Sequence, residues 1–546
     1  MLMSCFSVTM EHELKPQQPE NSIASIAGWR KSILLFIFCF AQFLDAFNNS
    51  ALFAAIPPIS AAIGISDSNS VWLISAYQLT FAALLLTTGR LSDLYNPKWA
   101  FIFGLLLMSF SSLGCGFVRS QVPLIILRAI MGIGAALNIP SALAMIIGMY
   151  PDPTAQGKAL GGFAASATIG NVTGLFIGAA LAAFVSWTWI FYLITILSFV
   201  MAAAVLVIMP LHISFIDGLS LSQGERFKRL DLVGVSTLTV SLVLLVYSVT
   251  TGSIDGWGEA KVLVPLILFF VLVVAFFQWE GRIPEHIAAV PPKMWRYQNF
   301  TILIILSLQP FMFWVATQLL LSWYWQFIFD WSTIDVAIHF LPLGVISFPM
   351  IAVAIILQKN FSLKWVILMG EILVIAGTLL LPFADSKPHY WRYAFPGFVL
   401  GSAGTTVVYA TTNIALFAVT PPEVAGIVGA IFNCALQLGA AAGSAIITSI
   451  QTSTEKNHGG TSSFEGRAAG FWFMFTFTAL EAIGVAIFMK NTVPALKAQN
   501  QGGGDQKEQQ TETLRPGVTY RHAAAALRAT ATISEHSFTP HTAQQQ

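Results

Sequence analysis

One carboxylate stands near the middle of an apolar run long enough to cross a bilayer. The run is Ser32–Ile59, SILLFIFCFAQFLDAFNNSALFAAIPPI, and the carboxylate is Asp45, followed closely by Asn48, Asn49 and Ser50. A charge at that depth costs a few kcal/mol or more, so such residues face a bundle interior or water and mark ion or proton paths. An arginine, Arg128, lies inside a second apolar run and needs an anion; Asp45 is a candidate partner. Arg128 either polarises Asp45 or simply locks two helices together. Energy from nucleotide hydrolysis is not indicated, because Gly157-Lys158 is followed by Ala159 and lacks the glycine of a phosphate loop. No nucleophile–base pair, metal-ligand spacing or cofactor signature is present, so an enzyme is not expected. The four cysteines form no paired pattern, and no disulfide framework or metal site is predicted.

The elements that must position these groups are membrane helices. Of 546 residues 56% are hydrophobic and only 10% charged, with a mean hydropathy of +0.72. A soluble protein carries about 25% charged residues, so lipid is the solvent here and an all-α integral membrane fold follows. The balanced net charge of +1, without a basic block, argues against nucleic-acid binding. Fourteen apolar runs reach spanning length: 32–57, 70–89, 99–118, 122–149, 158–183, 187–209, 231–251, 261–279, 299–328, 334–357, 364–383, 391–419, 425–450 and 468–490. With the N-terminus cytoplasmic, segments on that side carry thirteen Lys and Arg residues, from Arg30 to Lys364, against six in the opposite loops. Both termini are then cytoplasmic. The basic segment Pro210–Leu230 is expected to lie on the membrane face or to act as a plain linker. It divides the chain into a tail (1–31), six helices (32–209), the linker with two inserted helices (210–298), six more helices (299–490) and a disordered cytoplasmic tail (491–546). Six-helix halves around a midplane cavity are a common plan for secondary transporters.

Several motifs carry a resemblance. The loop after the second run reads Gly89-Arg-Leu-Ser-Asp93-Leu-Tyr-Asn-Pro-Lys98. Here Gly89 allows close helix approach, Asp93 can cap a helix or pair with a base, and the cations hold the loop in the cytoplasm. It resembles the G-x-L-a-D-x-x-G-[RK]-[RK] loop of the major facilitator superfamily, with Asn96 and Pro97 departing from it. Leu127-Arg128-Ala-Ile-Met-Gly132-Ile-Gly134-Ala135 is similar to the R-x-x-x-G-x-G-x-A motif of that superfamily. Gly170, Gly174 and Gly178 follow its G-x-x-x-G-P-x-x-G-G antiporter motif, with Leu175 in place of the proline; they are packing residues first. Leu44-Asp45 with Pro57, Trp187-Thr-Trp189-Ile-Phe191, Leu230-Asp231-Leu-Val-Gly234, Gly256-Trp257, and Pro421-Pro-Glu423 with Gly426, Gly429 and Asn433 resemble the fourteen-span drug:H⁺ antiporter branch found in fungi. The resemblance implies two six-helix bundles plus two inserted helices, with Asp45 and Arg128 in proton coupling and Gly89, Asp93 and Lys98 in a conformational loop.

A substrate cavity is expected from Asn49 in the first run, Gln309, Trp314, Gln318 and Gln326 in the ninth, Tyr409 and Asn413 in the twelfth, and Asn433 and Gln437 in the thirteenth. Amphipathic aromatics with sparse amides suit a broad pocket for apolar compounds. Trp323 and Trp325 read as interface anchors, His339 as structural, and Glu371 as snorkelling inward near Lys364; Glu481 has no evident partner. The four Asn-x-Ser/Thr matches, at Asn48, Asn171, Asn299 and Asn360, are chance. The expected function is proton-coupled efflux of small apolar organic compounds by a monomer in the plasma membrane, or the vacuolar membrane. Alternatives are a siderophore, ammonium or borate carrier, or a membrane sensor signalling through its tail.

Overall fold

The computed structural model describes residues 26–65, 67–210, 230–284, 287–288, 290–421, 425–457 and 459–491. The expected basic face helix, most of the Pro421–Glu423 motif and the C-terminal tail lie outside these residues. Among those described the chain is helical, with no strand. Fourteen helical segments are long and apolar enough to cross a bilayer: α1 (Gly28–Ile63), α2 (Trp72–Ser92), α3 (Pro97–Phe117), α4 (Gln121–Met149), α5 (Lys158–Phe184), α6 (Thr188–Ile208), α7 (Leu232–Gly252), α8 (Ala260–Glu280), α9 (Phe300–Phe327), α10 (Thr333–Asn360), α11 (Leu363–Phe383), α12 (Tyr390–Val419), α13 (Ile427–Lys456) and α14 (Glu465–Phe488). Each sits within a few residues of an apolar run in the sequence. The match has a simple cause, because in lipid a chain must satisfy its backbone within the segment and hydropathy then reads directly as helix. An even number of crossings returns the chain to its starting face. That face, holding Gly28 and Phe488, is called terminal below, and the opposite face distal.

Proline shapes the crossings that face the centre. The first helical piece of α9, Phe300–Leu306, stops where Pro310 cannot donate to the carbonyl of Leu306, and the helix resumes at Gln309. In α10 the piece Thr333–Val345 stops likewise where Pro349 cannot reach Val345. Helix α1 carries Pro57 and Pro58 yet continues to Ile63, closing on the left-handed Gly64 (φ 75°).

Small residues set the closest contacts. A Cβ at Gly170, Gly174 or Gly178 would collide with the α1 backbone at Phe43, Phe47 and Ala51. Helix α5 therefore lies directly on α1. Gly132 does the same against Tyr77 of α2, and Gly134 against Gly104 of α3. Gly89 is different: an added methyl would meet Ala430 and Pro140 at 3.7 and 3.9 Å, ordinary contact, so no close approach depends on it in this conformation. Helix α7 straddles α2 and α13; Thr239 donates to the Ala83 carbonyl (2.8 Å), and Trp257 just beyond α7 to Ser449 Oγ (2.8 Å). The outer surface is apolar, with Phe36, Phe110, Val207, Val264, Ile372 and Phe488 exposed as a lipid-facing belt.

Candidate functional site

The buried charge cluster is built by three helices. Asp45 projects from α1, is 6% exposed, and accepts a short hydrogen bond from the Tyr77 hydroxyl of α2. Arg128 of α4 is fully buried. Its guanidinium donates from Nε to the Leu73 carbonyl (2.8 Å) and from Nη1 to Asn48 Oδ1 (2.8 Å). The same group lies 4.7 Å from the centre of the Tyr77 ring. Among the described residues no ion pair joins Arg128 to Asp45, which corrects the direct pairing expected above. Tyr77 stands between them, touching the acid with its hydroxyl and the base with its π face. Charge at Asp45 is thus felt by Arg128 through one aromatic side chain. Tyr77 was missed in the sequence because a lone tyrosine in an apolar run carries no signal; Asn48, three residues from Asp45, was the visible hint.

Asp45 opens onto a central cavity of about 110 Å³ between the two ends of the chain. Of the expected lining residues Asn49, Trp314, Gln318, Tyr409, Asn433 and Gln437 do line it. Gln309 does not: it is fully buried and turns its Nε2 to Thr405 Oγ1 (3.3 Å) between α9 and α12. Asn413 is not among the lining residues, and Gln326 instead donates to the Ala54 carbonyl (3.1 Å). Both lie beyond the lining along their helices, Gln326 about two turns past Gln318 and Asn413 about one turn past Tyr409. Residues not anticipated also contribute, notably Gln42, Gln78 and Asn171 with Phe53, Phe81, Phe311 and Phe340. Among the described residues Asp45 is the one charged residue of the lining. Gln318 donates to the Trp314 carbonyl (3.1 Å) and Asn433 to the Gly429 carbonyl (2.9 Å). Each spends one of its two amide N–H donors on its own helix and keeps the other, with its oxygen, for a guest.

At the start of α5, Gly161 lies on the same stripe as the lining residues Ala164 and Thr168, and a side-chain carbon added there would meet nothing within 4 Å.

Around the loop between α2 and α3, Asn96 Oδ1 accepts from the Lys98 amide (3.0 Å) and Pro97 takes the first helical turn. The departure from the family loop is therefore a helix start, Asn as cap and Pro at N1. The Asp93 side chain lies outside the described residues. Lys98 is not a free surface cation; it is buried and donates to the Met209 carbonyl (2.7 Å), ending α6. Glu371 is likewise fully buried rather than snorkelling, and Lys364 instead donates to the carbonyls of Ala486 (2.9 Å) and Met489 (2.7 Å). Neither carboxylate oxygen of Glu371 or of Glu481 has a hydrogen-bond partner; the two groups are electrostatic neighbours across α11 and α14. Trp325 is not an interface anchor but the centre of a buried aromatic cluster with Phe340, Tyr390 and Phe398. His339 stacks on Trp331 at 3.8 Å. Arg467, one of the six cations expected in the opposite loops, is 2% exposed and pairs with Glu455 at 3.0 Å, over the ring of Tyr324.

Comparison with known proteins agrees with this architecture. The family model described as Major Facilitator Superfamily matches residues 38–444. A major facilitator superfamily multidrug transporter of Aspergillus fumigatus is 27% identical over 87% of this chain and 90% of its own length. The puromycin resistance protein of Streptomyces alboniger is 28% identical over 76% of this chain and 80% of its own. The cephamycin export protein of Amycolatopsis lactamdurans is 28% identical over 83% and 90%. Among solved structures, a POT family transporter aligns with a TM-score of 0.60 at 16% identity over 83% of this chain and 95% of its own. A D-xylose–proton symporter aligns at 0.57, 14% identity, over 84% and 97%. These likenesses concern the fold. With a match covering most of its length, fourteen crossings and a cavity between its two ends, the chain is a multi-pass membrane protein of the Major Facilitator Superfamily.

Proposed function

We propose that this protein exports small, largely apolar organic compounds in exchange for protons, working by alternating access. The observation that carries the reading is the central cavity, aromatic and amide-lined, with Asp45 as its one charged residue. Relatives named for multidrug transport, puromycin resistance and cephamycin export support the direction and the substrate class. Loss of charge at Asp45 on protonation ends its acceptance of a charge-assisted bond from Tyr77 and its pull on Arg128. That change biases one six-helix bundle to rock against the other, with α7 and α8 as an inserted pair. Gly170, Gly174 and Gly178 keep α1 and α5 moving as one body. Gly89, Asp93 and Lys98 act at the terminal-face loop. The charge asymmetry of the loops supports both termini in the cytoplasm, and the protein acts as a monomer in the plasma membrane.

With Asp45 as the charged residue of its lining, the cavity favours neutral or cationic guests and disfavours anions. The test uses the purified protein in sealed liposomes containing a pH-sensitive dye. Addition of a hydrogen-bond-donating aromatic compound to one side should drive protons the opposite way. Proton movement in the same direction as the compound would support an inward-coupled carrier and overturn the exporter.

A further inference from the structure

Pro57 and Pro58 remove two backbone donors from α1, and in an α-helix the carbonyls left without them are those four residues earlier, Phe53 and Ala54. These two carbonyls are met from the other end of the chain. Ser322 of α9 donates from Oγ to the Phe53 carbonyl (2.6 Å), and Gln326, one turn on, from Nε2 to the Ala54 carbonyl (3.1 Å). Gln326 Nε2 also reaches Ser322 Oγ (3.5 Å), so the donors form one chain with a proton for each bond. The i, i+4 spacing of Ser322 and Gln326 matches neighbouring carbonyls that α1 cannot use itself.

The position of this contact gives it a task. Phe53 and Gln318 line the central cavity, whereas Pro57 and Ser322 line a separate crevice of about 220 Å³ on the distal side. The two bonds therefore lie in the wall that separates the cavity from the distal face. Ser322 is 2% exposed, so its bond to Phe53 forms away from water, while the Gln326 bond is part-buried. We propose that Ser322 and Gln326, with the carbonyls freed by Pro57 and Pro58, are the latch of the distal gate. Closing the gate satisfies two carbonyls that the tandem prolines leave open; opening it hands them to water in the path. The prolines thereby weaken α1 as an isolated helix and strengthen its grip on α9. This inference goes beyond the exporter reading and does not depend on substrate or on direction of transport.

The experiment measures gate opening without any substrate. Thr168, which lines the cavity, is replaced by cysteine in the full-length chain with Cys5 and Cys39 changed to serine. The protein is placed in sealed liposomes, and a membrane-impermeant maleimide is offered to one side at a time. Reaction from the distal side is limited by the fraction of time the gate is open. S322A/Q326L should raise that rate roughly 5- to 10-fold, the effect of losing two net hydrogen bonds. Each single variant should raise it about 2- to 3-fold, and these serve if the double variant does not fold. S322T, which keeps the hydroxyl, should react at the parent rate. In a P57A/P58A background, where α1 satisfies its own carbonyls, the same truncation should change the rate by less than about twofold. An unchanged rate in S322A/Q326L, an equal rise in both backgrounds, or a rise in S322T matching that of S322A would each overturn the latch.

Discussion

Replacing Asp45 by asparagine removes the one charge in the cavity lining while keeping its shape. The structure indicates little cost to the fold. The amide oxygen still accepts from Tyr77, so a charge-assisted bond of about 1.5–3 kcal/mol becomes a neutral one of about 0.5–1.5 kcal/mol. The relief of a buried charge offsets that loss. Thermal unfolding of D45N should therefore stay within a few degrees of the parent. Transport is where the change appears. In the proposed mechanism the lining carboxylate carries one proton per turnover. For a neutral compound without a membrane potential, each pH unit then supports at most about a tenfold concentration ratio, equivalent to about 1.4 kcal/mol. Liposomes held at a gradient of about two units should reach a ratio near 100 with the parent protein and near 1 with D45N. Counterflow of labelled compound at equal pH should persist in D45N, because the binding surface is otherwise intact. Concentrative accumulation by D45N at the parent rate would refute the role of Asp45. A ceiling near 10⁴ in the parent would refute the one-proton stoichiometry.

Tyr77→Phe removes the hydroxyl that Asp45 accepts from but keeps the ring beneath Arg128; gradient-driven transport should fall about tenfold with little loss of thermal stability, whereas Tyr77→Leu should also lower the unfolding temperature by removing a buried cation–π contact of about 2 kcal/mol. Gly178→Val drives side-chain atoms into the α1 backbone at Ala51 and should cost about 1–3 kcal/mol, seen as a lower unfolding temperature and slower transport, with Gly161→Ala, which faces open space, as the neutral control. Arg467→Met strands Glu455 in a buried site and should destabilise the protein by about 3–5 kcal/mol, while the double change Arg467→Met with Glu455→Leu recovers most of it.

The fourteen crossings were legible because their physics is local. A stretch that must satisfy its own backbone in hydrocarbon has to be apolar over about 20 residues, whatever its neighbours do. Asp45 and Arg128 stood out for the same reason: a charge in such a stretch is anomalous before any contact is known. Glycine spacing in α5 likewise announced a close-packed stripe, though only the fold shows that the stripe lies on α1. Other features depend on which side of each helix meets a neighbour. In lipid an outward face is as apolar as an inward one, so composition does not reveal rotation about the helix axis. That is why Trp314 and Gln318 reach the cavity while Gln309, on the same helix, is spent on Thr405. It is also why Trp325 turns out to be core, and Arg467 an internal ion pair rather than a loop cation. The anomaly of Asp45 was readable from one residue in the wrong solvent; that Tyr77 stands between it and Arg128 required three helices to be brought together, because contacts between distant parts of a chain are set by packing and not by local preference.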